Sequence, residues 1–152
     1  MPDWTTPIEH PITGQRIPAF LHGVITPMFT PCNADHTLDE AGIRSYTEYL
    51  IDTGSVTALF PRSGLGRMYE FTFDEVKRIT DIVIDQAAGR IPVMPGCGGI
   101  HDPDSGRGPS ADVYTRQSIE LCQYAERRGA TAVVLPVPVG FVGRREELSE
   151  EV

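Results

Sequence analysis

One stretch of the chain carries residue types that suit chemistry. Residues 58–75, ALFPRSGLGRMYEFTFDE, bring Ser63, Gly64 and Gly66 together between Arg62 and Arg67. Backbone N–H groups approach an anion only where no Cβ intervenes, so Ser63-Gly64-Leu65-Gly66 is compatible with a bound carboxylate or phosphate. The flanking arginines either favour an acidic ligand or are surface or inter-subunit residues. A strand-to-helix turn whose glycines serve geometry alone is the plain alternative. The other reactive types add little. Cys32, Cys97 and Cys122 are odd in number and far apart in sequence, and His10, His22, His36 and His101 fall in no ligand spacing. No metal, cofactor or disulfide framework follows, and the thiols are expected reduced and partly buried. The single lysine, Lys77, lies between Val76 and Arg78. With Val76 and Ile79 turned inward, it is expected on the solvent face of a helix. No catalytic residue is assigned.

The elements that position this stretch can be read on either side of it. Residues 56–60 form an apolar strand, and Thr72 and Glu75 form a capping box with Asp74 in the first turn of a helix over 73–88. Val76, Ile79, Ile82 and Val83 make that helix's buried stripe. Upstream, residues 1–21 carry Pro2, Pro7, Pro11 and Pro18 and read as an extended arm. A strand over 23–29 follows, then a polar turn over 33–37, then a helix over 38–53 with Ile43, Tyr46 and Leu50 on one face. Downstream come a strand over 91–94 and a long loop over 95–108, read as a mobile excursion. Within it, residues 96–99 are either a flexible turn or a second place where backbone could meet a ligand. A helix over 111–128 is expected to turn Val113, Ile119, Cys122 and Ala125 inward. A strand over 132–135 continues to Pro138, and residues 145–152 open a fourth helix.

This βαβαβαβα rhythm, with strands apolar throughout, describes a parallel sheet covered by helices. An open doubly wound sheet and four units of an eight-unit barrel both fit. Nucleotide binding through Gly64-Leu65-Gly66 is weakly supported, because Tyr69 stands where a third glycine would be needed. A net charge of −8 argues against nucleic acid or an anionic membrane surface. No apolar run approaches the roughly 20 residues that span a bilayer. No secretory leader is visible, so a cytoplasmic location is expected.

Several segments, in order, resemble one family. GVITPMFTP followed by LDEAG, EYLIDTG, SGLGRMYEFTFDE, AAGRIPVMPGCG and YAERRGATAVVLPVP are similar to the dihydrodipicolinate synthase and N-acetylneuraminate lyase family over about residues 23–138. The resemblance implies an α/β fold of the (β/α)8 TIM-barrel type. Residues 1–21 would then be an arm, and 22–152 the N-terminal half of the barrel, its first four βα units. It also implies a lyase or aldolase that joins a lysine to pyruvate or another 2-oxo acid as a Schiff base, needs no cofactor and forms homo-oligomers, commonly tetramers. The chemistry needs a neutral amine to attack the ketone, and the protonated imine then withdraws electrons from the adjacent carbon.

The family's G-T-T-G-E signature falls on Ser63, Gly64, Leu65, Gly66 and Arg67, which makes Ser63, Gly64 and Leu65 the expected substrate-carboxylate contacts. Gly64 and Leu65 lack the family's hydroxyls, so binding would pass to backbone N–H groups, with Ser63 supplying a displaced hydroxyl. The family's tyrosine and lysine belong to strands five and six, outside four units. The chain is therefore read as an inactive fragment of a longer enzyme. The alternative is a non-catalytic half-barrel that self-associates.

Overall fold

The computed structural model describes residues 3–102 and 107–136. The proline-rich arm contains a hairpin: β1 (Pro7–Glu9) pairs antiparallel with β2 (Arg16–Pro18), with Ile8 opposite Ile17. Its turn is closed by the Gly14 N–H, which donates to His10 O at 2.9 Å with Gly14 at φ 68°. A 3₁₀ turn at Ala19–His22 follows. Its Phe20 is buried against Ala58 and Met94, and its carbonyl accepts the Thr57 hydroxyl at 2.8 Å. The arm thus covers the amino-terminal end of the sheet.

Four consecutive segments pair in parallel. β3 (Ile25–Pro27) lies beside β4 (Ala58–Phe60), with Thr26 opposite Leu59. Leu59 bridges to Val93, and Gly96 bridges to Val134. Leu59 N–H donates to Pro92 O at 2.9 Å, Met94 N–H to Leu59 O at 2.8 Å, and Val134 N–H to Pro95 O at 3.0 Å. The third and fourth strands are shorter than the apolar runs predict. Pro92 and Pro95 flank Val93 without N–H donors and restrict the ladder there. The lateral order is the chain order, with no reversal. A doubly wound sheet reverses at its switch point, whereas consecutive right-handed units build the wall of a barrel. The fold is therefore a partial α/β barrel. The predicted continuation to Pro138 and the helix over 145–152 lie outside the described residues, as do residues 103–106 of the long loop.

The helices form one layer over this wall. α1 (Glu40–Asp52) starts at Asp39, whose carboxylate accepts Gly42 N–H at 2.9 Å. α2 (Phe73–Ala87) starts on the expected capping box, Thr72 with Glu75. α3 (Ala111–Arg128) ends at Gly129, φ 90°. The α2 stripe buries Val76, Ile79, Ile82 and Val83 as read from the sequence. Ile82 and Val83 pack with Met28, Ile43, Leu59 and Val93. Val76 and Ile79 pack with Phe71, Cys97, Leu121 and Ala125.

The face of α3 is a correction. Ser118, Leu121 and Ala125 point inward while Ile119 is 53% exposed. Positions 118, 121, 122 and 125 form an i, i+3, i+4, i+7 row, and Ile119 stands about 100° around the helix from Ser118. Lys77 is a second correction. Its side chain is 24% exposed and its Nζ lies 2.9 Å from Glu120 Oε1 and 4.3 Å from the Phe73 ring centroid. The long stem packs into the α2–α3 seam and only its head reaches a partner.

Other ion pairs join neighbouring helices along the outer surface. Arg78 forks onto Glu40 at 2.5 and 2.6 Å, Arg90 onto Glu48 at 2.6 Å twice, and Arg128 reaches Asp81 at 2.7 Å and Asp85 at 2.8 Å. Among the described residues no helix is long and apolar enough to cross a membrane.

Candidate functional site

Beyond β4 the chain crosses the carboxyl ends of three strands in three residues, Pro61, Arg62 and Ser63. Pro61 O accepts Gly96 N–H at 3.0 Å, holding the end of the third strand. Ser63 faces the first strand: its Oγ donates to Met28 O at 3.1 Å and accepts Gly66 N–H at 3.1 Å. Thr30 adds a bond from its hydroxyl to Gly66 O at 2.9 Å. The residues that follow coil through turns, with Gly66 N–H on Ser63 O at 3.0 Å and Arg67 N–H on Gly64 O at 3.3 Å.

The three residues expected to touch substrate therefore differ. Ser63 is buried and its hydroxyl is committed to Met28 and Gly66. Gly64 is exposed with open space where a Cβ would stand, and Leu65 is 53% exposed. The Gly64 and Leu65 N–H groups have no hydrogen-bond partner among the described residues. They begin a run of turns, where unpaired donors and a partial positive charge gather.

Gly66 serves packing. A Cβ there would lie 2.5 Å from Met28 O and 3.0 Å from Thr30 Oγ1. The left-handed residues of this segment are Arg62, φ 53°, and Arg67, φ 58°, and neither Gly64 nor Gly66 is among them.

Arg62 overturns the expectation of a surface or ligand-facing arginine. It is 1% exposed. Its Nη1 donates to Gly96 O at 3.1 Å and Gly98 O at 2.5 Å, and its Nη2 donates to Gly99 O at 3.1 Å. Nε has no partner among the described residues. No carboxylate is among the groups that act on it. Burial pulls the guanidinium down to about 10, opposed by Cys97, Tyr114 and Tyr69, so it remains a cation at neutral pH. Arg67 is the exposed member of the pair and is bridged to Glu70.

Residues 96–99 form neither a loose turn nor an open cradle. All four are buried. A Cβ at Gly96 would strike Arg62 O, and Cβ atoms at Gly98 and Gly99 would lie 2.8 Å and 2.5 Å from Tyr114. Tyr114 crosses this loop to donate to Pro136 O at 2.7 Å. The cysteines, distant in sequence, converge here. Cys97 is buried, with Cys32 and Cys122 half-buried against the same cluster. All three thiols are free. Burial, then the neighbouring Cys122 thiol, pushes Cys97 up to about 12, so it is no nucleophile at neutral pH. No group of three metal-ligating side chains occurs among the described residues.

Sequence reasoning missed the Arg62 clamp. Its only trace was the glycine at 96, 98 and 99, whose missing side chains leave room for the Arg62 backbone and for Tyr114 against this loop. Chemically, the site offers two free N–H donors beside a buried cation and presents no nucleophile of its own. Such a set suits holding a small carboxylate.

Comparison with known proteins identifies the family of the chain. The model of the dihydrodipicolinate synthetase family matches residues 20–149. A 4-hydroxy-tetrahydrodipicolinate synthase from Brucella abortus is 33% identical over 118 residues, 78% of this chain and 36% of that protein. An uncharacterised DapA-like lyase from Halobacterium salinarum is 31% identical over 132 residues, 87% of this chain and 39% of that protein. Among solved structures, YagE, an E. coli prophage protein of the dihydrodipicolinic acid synthase family in complex with pyruvate, aligns with TM-score 0.63 and 32% identity, covering 74% of this chain and 33% of that one. The chain thus spans little more than a third of the length of the curated relatives it matches.

Proposed function

The chain belongs to the dihydrodipicolinate synthetase family, and from that premise we propose that it carries the carboxylate-binding half of a lyase or aldolase acting on pyruvate or another 2-oxo acid. The turn at Ser63, Gly64 and Leu65 receives the substrate carboxylate. Gly64 and Leu65 supply N–H donors, while Ser63 fixes the turn's shape through Met28 and Gly66. The observation that carries the reading is the pair of unengaged N–H groups at the carboxyl end of β4, in the place of the family's G-T-T-G-E signature.

The imine chemistry belongs elsewhere in this reading. Lys77 is the one lysine of the chain, and it is held at 2.9 Å by Glu120 in a helix seam. A charged, paired ammonium has no free electron pair with which to attack a ketone. The lysine and the proton-transferring tyrosine therefore belong to further βα units of a complete barrel, which would assemble as a homo-oligomer. The isolated chain binds without catalysing.

Two measurements on the 152-residue chain test this. Pyruvate titrated to millimolar concentration is expected to shift the Gly64 and Leu65 amide resonances saturably. Borohydride added with pyruvate is expected to leave the intact mass unchanged. A trapped adduct on Lys77 would overturn the division of labour, and no resonance shift at Gly64 or Leu65 would overturn the binding role. A defined dimer that closes two copies, with no pyruvate response, would point instead to a self-associating half-barrel.

A further inference from the structure

A buried cation with no carboxylate partner is costly. At 1% exposure Arg62 is such a cation, and it also sits in the left-handed region, φ 53°, which non-glycine residues adopt at a cost. Both burdens fall on one residue, next to the turn proposed to bind the carboxylate. The compensation is three backbone carbonyls, those of Gly96, Gly98 and Gly99, gathered on one guanidinium at 3.1, 2.5 and 3.1 Å.

The consequences reach past that loop. In a planar trans peptide, a carbonyl turned one way turns the following N–H the opposite way. With Gly96 O on Arg62, the Cys97 N–H points outward and donates to Val134 O at 2.9 Å, fastening the fourth strand. With Gly99 O on Arg62, the Ile100 N–H donates to Gln117 Oε1 at 2.9 Å, fastening α3. On the other side, Ser63 fastens the same segment to the first strand at Met28. A guanidinium suits this role because its rigid fan of donors meets several acceptors at once.

We infer that Arg62 is the positioning residue of this site. It locks the loop after the third strand, and through it the fourth strand and α3, against the carboxylate-binding turn, so that this turn is held in binding geometry. The link to ligand binding rests on the 2-oxo acid reading given above. The locking itself does not.

The experiment separates the two. Arg62→Met and Arg62→Lys are made in the 152-residue chain, and amide hydrogen exchange and pyruvate affinity are measured at a temperature where both are folded. Arg62→Met is expected to speed exchange at Cys97 and Ile100 by about tenfold or more, while α2 amides around Ile82 keep native rates. Its pyruvate affinity is expected to fall about tenfold, and Arg62→Lys, which keeps a charge and three donors, is expected to stay within about threefold of native. A uniform rise in exchange across α2 and the loop would reduce Arg62 to general stability and overturn the inference. So would native pyruvate affinity in Arg62→Met. If the native chain binds no pyruvate, the 2-oxo acid reading falls, and the local exchange at Cys97 and Ile100 decides the locking alone. Should Arg62→Met fail to fold, Arg62→Gln, which loses the charge and most of the donors, carries the test: native exchange at Ile82 with faster exchange confined to the loop supports the lock, and a uniform rise or native exchange in the loop refutes it.

Discussion

Gly64 and Gly66 stand two residues apart in one turn, and the structure gives them opposite tolerances for a methyl group. A Cβ at Gly66 would lie 2.5 Å from Met28 O, 3.0 Å from Thr30 Oγ1 and 3.5 Å from Ser63 N. The first of these is backbone, so no rotamer change relieves it and the turn must lift off the first strand. Three hydrogen bonds are then at risk: Ser63 Oγ to Met28 O, Thr30 Oγ1 to Gly66 O, and Gly66 N–H to Ser63 Oγ. At about 0.5–1.5 kcal/mol net for each, and with Met28 O left buried, Gly66→Ala is expected to cost about 2–4 kcal/mol. At Gly64 no atom lies within 4 Å of an added Cβ, and it is not among the residues with positive φ. Gly64→Ala should therefore change stability by no more than about 0.5 kcal/mol, tending to stabilise by restricting the unfolded chain. Urea unfolding followed by far-ultraviolet circular dichroism measures both, with an unchanged slope showing that the same transition is compared. Equal losses in the two variants, or a Gly66→Ala midpoint at the native value, would refute the assignment of Gly66 to packing and Gly64 to an open face.

Two further outcomes follow from the helix layer. Thr72→Ala removes the hydroxyl that accepts Glu75 N–H and the reciprocal capping box, and should cost about 1 kcal/mol in the same urea assay. Glu48, held by the Arg90 fork and then by Gln86, has its carboxyl lowered to about 2. A depressed folded value means stability present above the unfolded value of 4.5 and lost as pH falls toward 2. Native stability should therefore decline through that window, and Glu48→Gln should flatten its share of the decline. Parallel slopes for native and variant between those pH values would refute the pairing.

The helices were legible because their signals are local. Thr72, Asp74 and Glu75 announce the start of α2 within one turn, and its stripe of Val76, Ile79, Ile82 and Val83 follows at helical spacing. The face of α3 was misjudged at Ile119 because sequence periodicity does not say which of two overlapping rows meets α2. Ala125 was read inward and is buried, and small Ser118, before it on the same row, could have been favoured by a size argument. Strand order was illegible, since doubly wound and barrel sheets share one rhythm, and only the lateral bonds from Leu59 to Val93 and Gly96 to Val134 separate them. Arg62 was hidden most deeply. Burial of an arginine is set by acceptors 34 to 37 residues away, and its left-handed φ has no local sequence signal.

The hydroxyls at this end of the sheet decide what the turn can contribute to a reaction. Ser63 Oγ and Thr30 Oγ1 both donate to backbone carbonyls, Met28 O and Gly66 O, and Tyr114 donates to Pro136 O. On the resemblance to the family's G-T-T-G-E signature, Gly64 and Leu65 stand where its threonines would be. Neither Ser63 nor Thr30 has a hydroxyl proton left over for transfer to a reacting atom, whereas two N–H groups remain to bind one. On the 2-oxo acid reading, the turn recognises a carboxylate and leaves proton movement to other parts of a complete barrel. This division also accounts for Leu65, since a position that no longer relays protons is free to present apolar surface to the rest of the substrate. Leu65→Thr restores a hydroxyl at the signature position without restoring a relay, because the preceding position is still Gly64. Pyruvate affinity in that variant should stay within about threefold of native, a difference of less than one hydrogen bond. A gain of tenfold or more would show that the lost hydroxyl was the missing carboxylate contact.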